Sequence, residues 1–73
     1  MNLKNTLQIK VGERIQEIRI EKDMSQQDLA AKCNFEKSNM SRLEAGRANA
    51  TLMTIQIVAN ALDVPAMELF RFK

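Results

Sequence analysis

The chain contains no histidine, tryptophan or tyrosine, only three phenylalanines, and one cysteine, one proline and two glycines. Each scarcity excludes something. Without histidine there is no imidazole for a metal site or a histidine-based catalytic triad. One cysteine makes neither an internal disulfide nor a cysteine zinc cluster, and it fits a reducing compartment. So few glycines and β-branched runs argue against a barrel of short strands. No apolar run approaches the roughly 18 residues of a membrane span. The start, Met1-Asn2-Leu3-Lys4-Asn5, lacks the apolar stretch of a secretory signal.

What is present suits helices. The hydrophobic fraction is 45%, too high for a disordered chain, and Leu, Ile, Met, Lys, Glu and Gln predominate. The 73 residues make one domain with a small core and no room for a separate ligand-binding or catalytic domain. Eleven basic against nine acidic residues give a net charge of +2, a bias too weak to identify a partner. The placement of the charges matters more than their sum.

Leu7, Val11, Ile15 and Ile18 recur on one helical face and predict a first helix over about 6–22, with Leu3 able to extend the stripe. Ser25 followed by Asp28 forms a capping-box pattern that opens a second helix, about Gln26–Cys33, with Leu29, Ala30 and Cys33 inward. Asn34 is suited to the left-handed stop. A third helix is expected over about Lys37–Ala45, ended by Gly46, with Met40 and Leu43 inward. Thr51 caps a fourth, about Leu52–Leu62, with Leu52, Ile55, Val58, Ala59 and Leu62 on one face. Pro65 starts a short fifth, about Ala66–Phe70, whose Leu69 and Phe70 close the core. The expectation is an all-α, compact five-helix domain spanning 1–73, with 1–10 extending the first helix.

Ser25–Gly46 carries the functional information. Two short helices joined by a few residues, with small Ala30 inside the first, form a helix-turn-helix whose second helix can enter the DNA major groove. The outward arc of that helix holds Lys37, Ser38, Ser41 and Arg42, with Asn39 beside them. Arg and Lys donate to guanine, Asn pairs with adenine, and Ser serves either role. Glu36 either accepts from cytosine or caps the helix; the cap is the simpler assignment. Glu13, Glu17 and Glu21 form a solvated helix face and no catalytic set, so no enzyme activity is expected.

Four motifs in order, Val11-Gly12-Glu13-Arg14-Ile15, Ser25-Gln26-Gln27-Asp28-Leu29-Ala30, Met40-Ser41-Arg42-Leu43-Glu44-Ala45-Gly46 and Leu62-Asp63-Val64, resemble the lambda-repressor-like (Cro/repressor, XRE) helix-turn-helix family. The resemblance spans about residues 11–70, and in length the chain is similar to restriction–modification controller proteins and small phage regulators. Asp23 and Asp63 stand where the family usually has Gly, and each can adopt the left-handed turn.

The resemblance implies a five-helix domain that binds double-stranded DNA, usually as a homodimer on a near-palindromic operator. It places Lys37, Ser38 and Arg42 at base-reading positions, with Asn39 added from the same arc. It makes Gln26 a DNA-backbone contact that braces the recognition helix, with Ser25 and Ser41 beside it. Arg47 and Asn49 reach phosphate or are merely solvated loop residues. Arg19 and Glu44 match a partly buried structural salt bridge.

Met53, Ile57 and Ala61 lie opposite the core face of the fourth helix, and Met67, Phe70 and Phe72 lie on or after the fifth. These six either widen the core or form a dimer interface, and the interface is the favoured assignment. Cys33 is expected to be a small buried apolar residue.

The leading function is a cytoplasmic, prokaryotic or phage-encoded transcriptional regulator, controlled by its own concentration through the monomer–dimer equilibrium. It needs no cofactor, small-molecule ligand or membrane. The alternative is an antitoxin that binds a toxin partner and regulates its own promoter, although only Met1–Lys10 is available as a neutralising segment.

Overall fold

A computed structural model describes residues 6–72. The apolar stripe and the caps produce four α-helices and one short 3₁₀ helix: α1 (Thr6–Glu21), α2 (Gln26–Cys33), α3 (Lys37–Glu44), α4 (Leu52–Leu62) and the 3₁₀ helix Ala66–Phe70. Leu3 and the rest of Met1–Asn5 lie outside the described residues, and residues 6–10 form the first turns of α1.

The fifth element is thus not an α-helix. Its bonds run three residues back, from the Glu68 N–H to the Pro65 carbonyl and from the Arg71 N–H to the Glu68 carbonyl. Five residues after a proline are too few to sustain the wider α ring, and the tighter turn is common in such short pieces.

All four α-helices stop in the same way. A residue with φ near +60 to +76° follows each one: Asp23, Asn34, Gly46 and Asp63. The next residue's N–H reaches back five positions, as from Phe35 to the Ala30 carbonyl at 2.8 Å and from Arg47 to the Arg42 carbonyl at 2.9 Å. These bonds occupy carbonyls that a helix end leaves unpaired. Asp and Asn tolerate this conformation because their short polar side chains bond locally.

Val11, Ile15 and Ile18 of α1 meet Leu29 and Ala30 of α2, Met40 and Leu43 of α3, and Ile55, Val58, Ala59 and Leu62 of α4 in one core. Leu69 of the 3₁₀ helix is fully buried beneath them. Phe70 is not: it is 41% exposed. Successive side chains on a 3₁₀ turn diverge by about a third of a circle, so only one of the pair points inward. Phe70 instead meets Phe72 edge-on at 6.4 Å, and Lys10 Nζ lies 5.7 Å from the Phe72 ring centre.

Two further stripe residues are outside the core. Leu7 occupies the first turn of α1 and is 57% exposed. Leu52 is the first residue of α4. A helical side chain leans toward the N-terminus, so Leu52 projects over the open end of α4 rather than onto the core.

Candidate nucleic-acid interface

The capping box ahead of α2 is complete. Ser25 Oγ accepts from the Asp28 N–H at 2.9 Å, and the Ser25 N–H donates to Asp28 Oδ2 at 3.0 Å. The Ser25 N–H bonded to the carboxylate, with the Ser25 hydroxyl as the lesser cause, holds the Asp28 carboxyl below its ordinary range. Glu36 stands at the N-cap of α3 but makes no side-chain capping bond. Glutamate is not among the preferred caps, and the α3 backbone turns without its help.

Ala30 of α2 is buried, 2% exposed, in the core that α2 and α3 share. Inward, α3 commits Met40, Leu43 and Glu44. Outward, Lys37, Ser38, Asn39, Ser41 and Arg42 are all exposed. Among the described residues, none of these five side chains makes an intramolecular hydrogen bond or ion pair. Their donors and acceptors are therefore all available to a partner. Arg47 and Asn49 are exposed just beyond, and Asn49 shares a shallow cleft with Asn39, Arg42 and Thr54.

The exposed arc rests on a buried ionic centre. Arg19 Nε donates to Glu44 Oε2 at 2.7 Å and Arg19 Nη2 to Glu44 Oε1 at 3.0 Å. Arg19 Nη1 donates to the Met24 carbonyl at 2.8 Å, and Gln26 Nε2 to Glu44 Oε1 at 3.1 Å. The Glu44 carboxylate thus ties α1 and the start of α2 to the end of α3, and the same Arg19 guanidinium holds the α1–α2 turn. Since a carboxylate only accepts, the Gln26 nitrogen must face it, and this sets the orientation of the amide.

Gly12, which stands in the first of the four motifs, makes a close contact with the end of α3. A Cβ there would lie 2.6 Å from the Leu43 and Glu44 carbonyl oxygens. A glycine inside a helix costs about 1 kcal/mol against alanine, and that cost is the signal of a close backbone approach. Arg14, in the same motif, also joins distant segments. Its Nε donates to the Glu68 carbonyl at 2.8 Å and its Nη2 reaches Glu68 Oε1 at 3.2 Å, fastening the 3₁₀ helix to α1.

The six residues assigned to a dimer surface do not share one environment. Met53, Met67, Phe70 and Phe72 are exposed. Ile57 and Ala61 are half-buried and pack against the chain's own core, which is the wider-core role. Cys33 is buried, and burial pushes its thiol pKa up. No helix among the described residues is long and apolar enough to cross a membrane.

Comparison with known proteins agrees with this architecture. The helix-turn-helix family pattern matches residues 15–69. Control protein C.BamHI of Bacillus amyloliquefaciens is 32% identical over 93% of this chain and 85% of its own length. The crystal structure of the restriction-modification controller protein C.AhdI from Aeromonas hydrophila superposes with a TM-score of 0.82 at 37% identity, covering 85% of this chain and 94% of that one. The restriction-modification controller protein C.Esp1396I, solved as a tetramer in complex with its natural 35 base-pair operator, gives 0.83 at 33% identity, over 92% of this chain and 88% of its own. A buried Arg19–Glu44 pair beneath an unengaged α3 arc, on a scaffold these proteins share over most of their length, means that the chain belongs to the XRE-type helix-turn-helix family.

Proposed function

We propose that the chain is a sequence-specific regulator of transcription that binds double-stranded DNA as a homodimer on a near-palindromic operator. The observation that carries this reading is the α3 arc of Lys37, Ser38, Asn39, Ser41 and Arg42, exposed and unengaged on a rigidly braced helix. Lys37, Ser38, Asn39 and Arg42 read base edges in the major groove. Ser25, Gln26, Ser41, Arg47 and Asn49 hold the phosphates on either side and set the register. With its amide nitrogen directed by Glu44, Gln26 retains one N–H for that contact.

The relatives support this reading, since one of them was solved on its operator. A dimer of such domains spaces two recognition helices about one DNA turn apart, roughly 34 Å. Affinity comes mainly from phosphates and falls steeply with salt. Action in the cytoplasm, on chromosomal or phage DNA, follows from the same reading. Nothing in the site favours the antitoxin alternative, and no observation assigns a toxin-binding surface.

The test is selection of bound sequences from random duplex DNA at about 150 mM salt, where specific and non-specific binding separate. It is run on the wild type and on Arg42→Ala. An enriched inverted repeat that loses preference at one position per half-site in the variant supports the reading. Weak, salt-sensitive binding without enrichment refutes it.

A further inference from the structure

The cleft that Asn39, Arg42 and Asn49 share has a volume of about 210 Å³ and is not wholly polar. Phe35, from the turn ahead of α3, and Ala48 and Ala50, from the segment joining α3 to α4, line it as well. All three are half-buried: they pack against the core and keep part of their apolar surface uncovered. Base-reading side chains and uncovered apolar surface therefore stand in one hollow, on the flank of α3.

We infer that this cleft reads the 5-methyl group of a thymine, with Phe35, Ala48 and Ala50 packing on the methyl while Asn39 and Arg42 hydrogen-bond to base edges beside it. The inference rests on the DNA-binding reading above and adds Phe35, Ala48 and Ala50 to the residues that set specificity. Base edges in the major groove present donors, acceptors and a single kind of apolar group, the thymine methyl. An apolar surface set among hydrogen-bonding readers thus has one base-edge partner.

The charge of the cleft favours the same occupant. Among the described residues, Arg42 is the only charged side chain in the lining. A phosphate pressed onto Phe35, Ala48 and Ala50 would lose its water with a single cation to compensate, whereas a methyl group gains by leaving water. Successive base pairs are stacked about 3.4 Å apart. Since Arg42 itself lines the cleft, the thymine lies within about two steps of the base pair that Arg42 reads.

The test uses the inverted repeat that the sequence selection yields. Each thymine is replaced in turn by uracil, in both half-sites together, and Kd is measured by fluorescence anisotropy on the full chain. Uracil keeps the O4 acceptor and the pairing with adenine and lacks only the methyl. A buried methyl is worth about fourfold in Kd, so one thymine near the Arg42 position is expected to cost about 16-fold over two half-sites. The same duplexes are bound to Phe35→Ala and Ala48→Ser. At that thymine the uracil-to-thymine ratio of Kd falls toward one in Phe35→Ala and by about half or more in Ala48→Ser, whose hydroxyl faces the methyl. Each ratio compares two duplexes on one protein, so a loss of stability common to both cancels. The helical circular dichroism signal checks the fold, and Ala48→Ser alone decides if Phe35→Ala is unfolded.

Uracil that binds like thymine at every position overturns the inference; the apolar surface then covers deoxyribose, which the uracil duplex retains. A selected half-site with no thymine near the Arg42 position overturns it too. So does a uracil effect that is undiminished in the folded variants, because the methyl is then read elsewhere. An enriched repeat indifferent to uracil removes this inference alone, whereas the absence of any enriched repeat removes the DNA reading and this inference with it.

Discussion

Replacing Glu44 by alanine removes the acceptor of three hydrogen bonds at once, two from Arg19 and one from Gln26. It leaves the guanidinium of Arg19, a residue only 9% exposed in the intact protein, held by the Met24 carbonyl alone. Breaking a buried pair from one side costs about 3–5 kcal/mol, because the remaining charge stays desolvated. A domain of 73 residues has about 4–11 kcal/mol in total. Glu44→Ala therefore removes about a quarter or more of the stability.

The chain has neither tryptophan nor tyrosine, so the assay is urea unfolding followed by the helical circular dichroism signal. With a slope of about 1 kcal/mol per molar urea, the midpoint falls by about 3 M or more, or the variant is unfolded without urea. Replacing both partners, as in Arg19→Met with Glu44→Leu, exchanges a desolvated ion pair for apolar packing. It recovers most of the loss, short by about 1 kcal/mol for the Met24 carbonyl that loses its donor. A Glu44→Ala midpoint within about 1 M of wild type refutes the argument, because a loss that small is the size expected of a solvated surface pair.

Gly12→Ala lowers the melting temperature even though alanine is the better helix former by about 1 kcal/mol, since its Cβ meets the α3 carbonyls at 2.6 Å and backbone must move; an unchanged or raised melting temperature contradicts the close approach. Asp63→Gly, at φ 59°, relieves a left-handed residue and leaves stability unchanged or higher by up to about 1 kcal/mol in a denaturant titration, whereas Asp63→Val lowers it. The Cys33 thiol reacts with a disulfide reagent only in the unfolded chain, because burial keeps it protonated. Its pKa is raised in the folded state, so the linked stability is full below the ordinary thiol range and is lost as pH rises from there through the folded value. Cys33→Ala removes that alkaline dependence, and an identical alkaline slope in the two proteins contradicts it.

Much of this architecture can be read along the chain because the forces that set it are local. The 3.6-residue recurrence of Val11, Ile15 and Ile18, the reciprocal bonds of Ser25 and Asp28, and the left-handed stops at Asn34 and Gly46 each act within a few residues, and their positions follow from residue type alone. The Arg19–Glu44 pair is legible only through family resemblance, since 25 positions separate its partners and no local rule links them.

Other features depended on which surfaces meet. Leu7 and Leu52 fit an inward stripe by periodicity, yet both stand in water, because periodicity names a face and not whether a neighbour covers it. Ile57 and Ala61 lie opposite the main core face of α4 and are nonetheless half-buried. The role of Gly12 became visible only once α1 lay against the end of α3, and that of Arg14 only once the 3₁₀ helix lay against α1. Helix starts and stops are settled by short-range bonds that any segment carries with it. Close approaches, grooves and rims arise only when segments distant in sequence are packed together, and each depends on the shape of both partners.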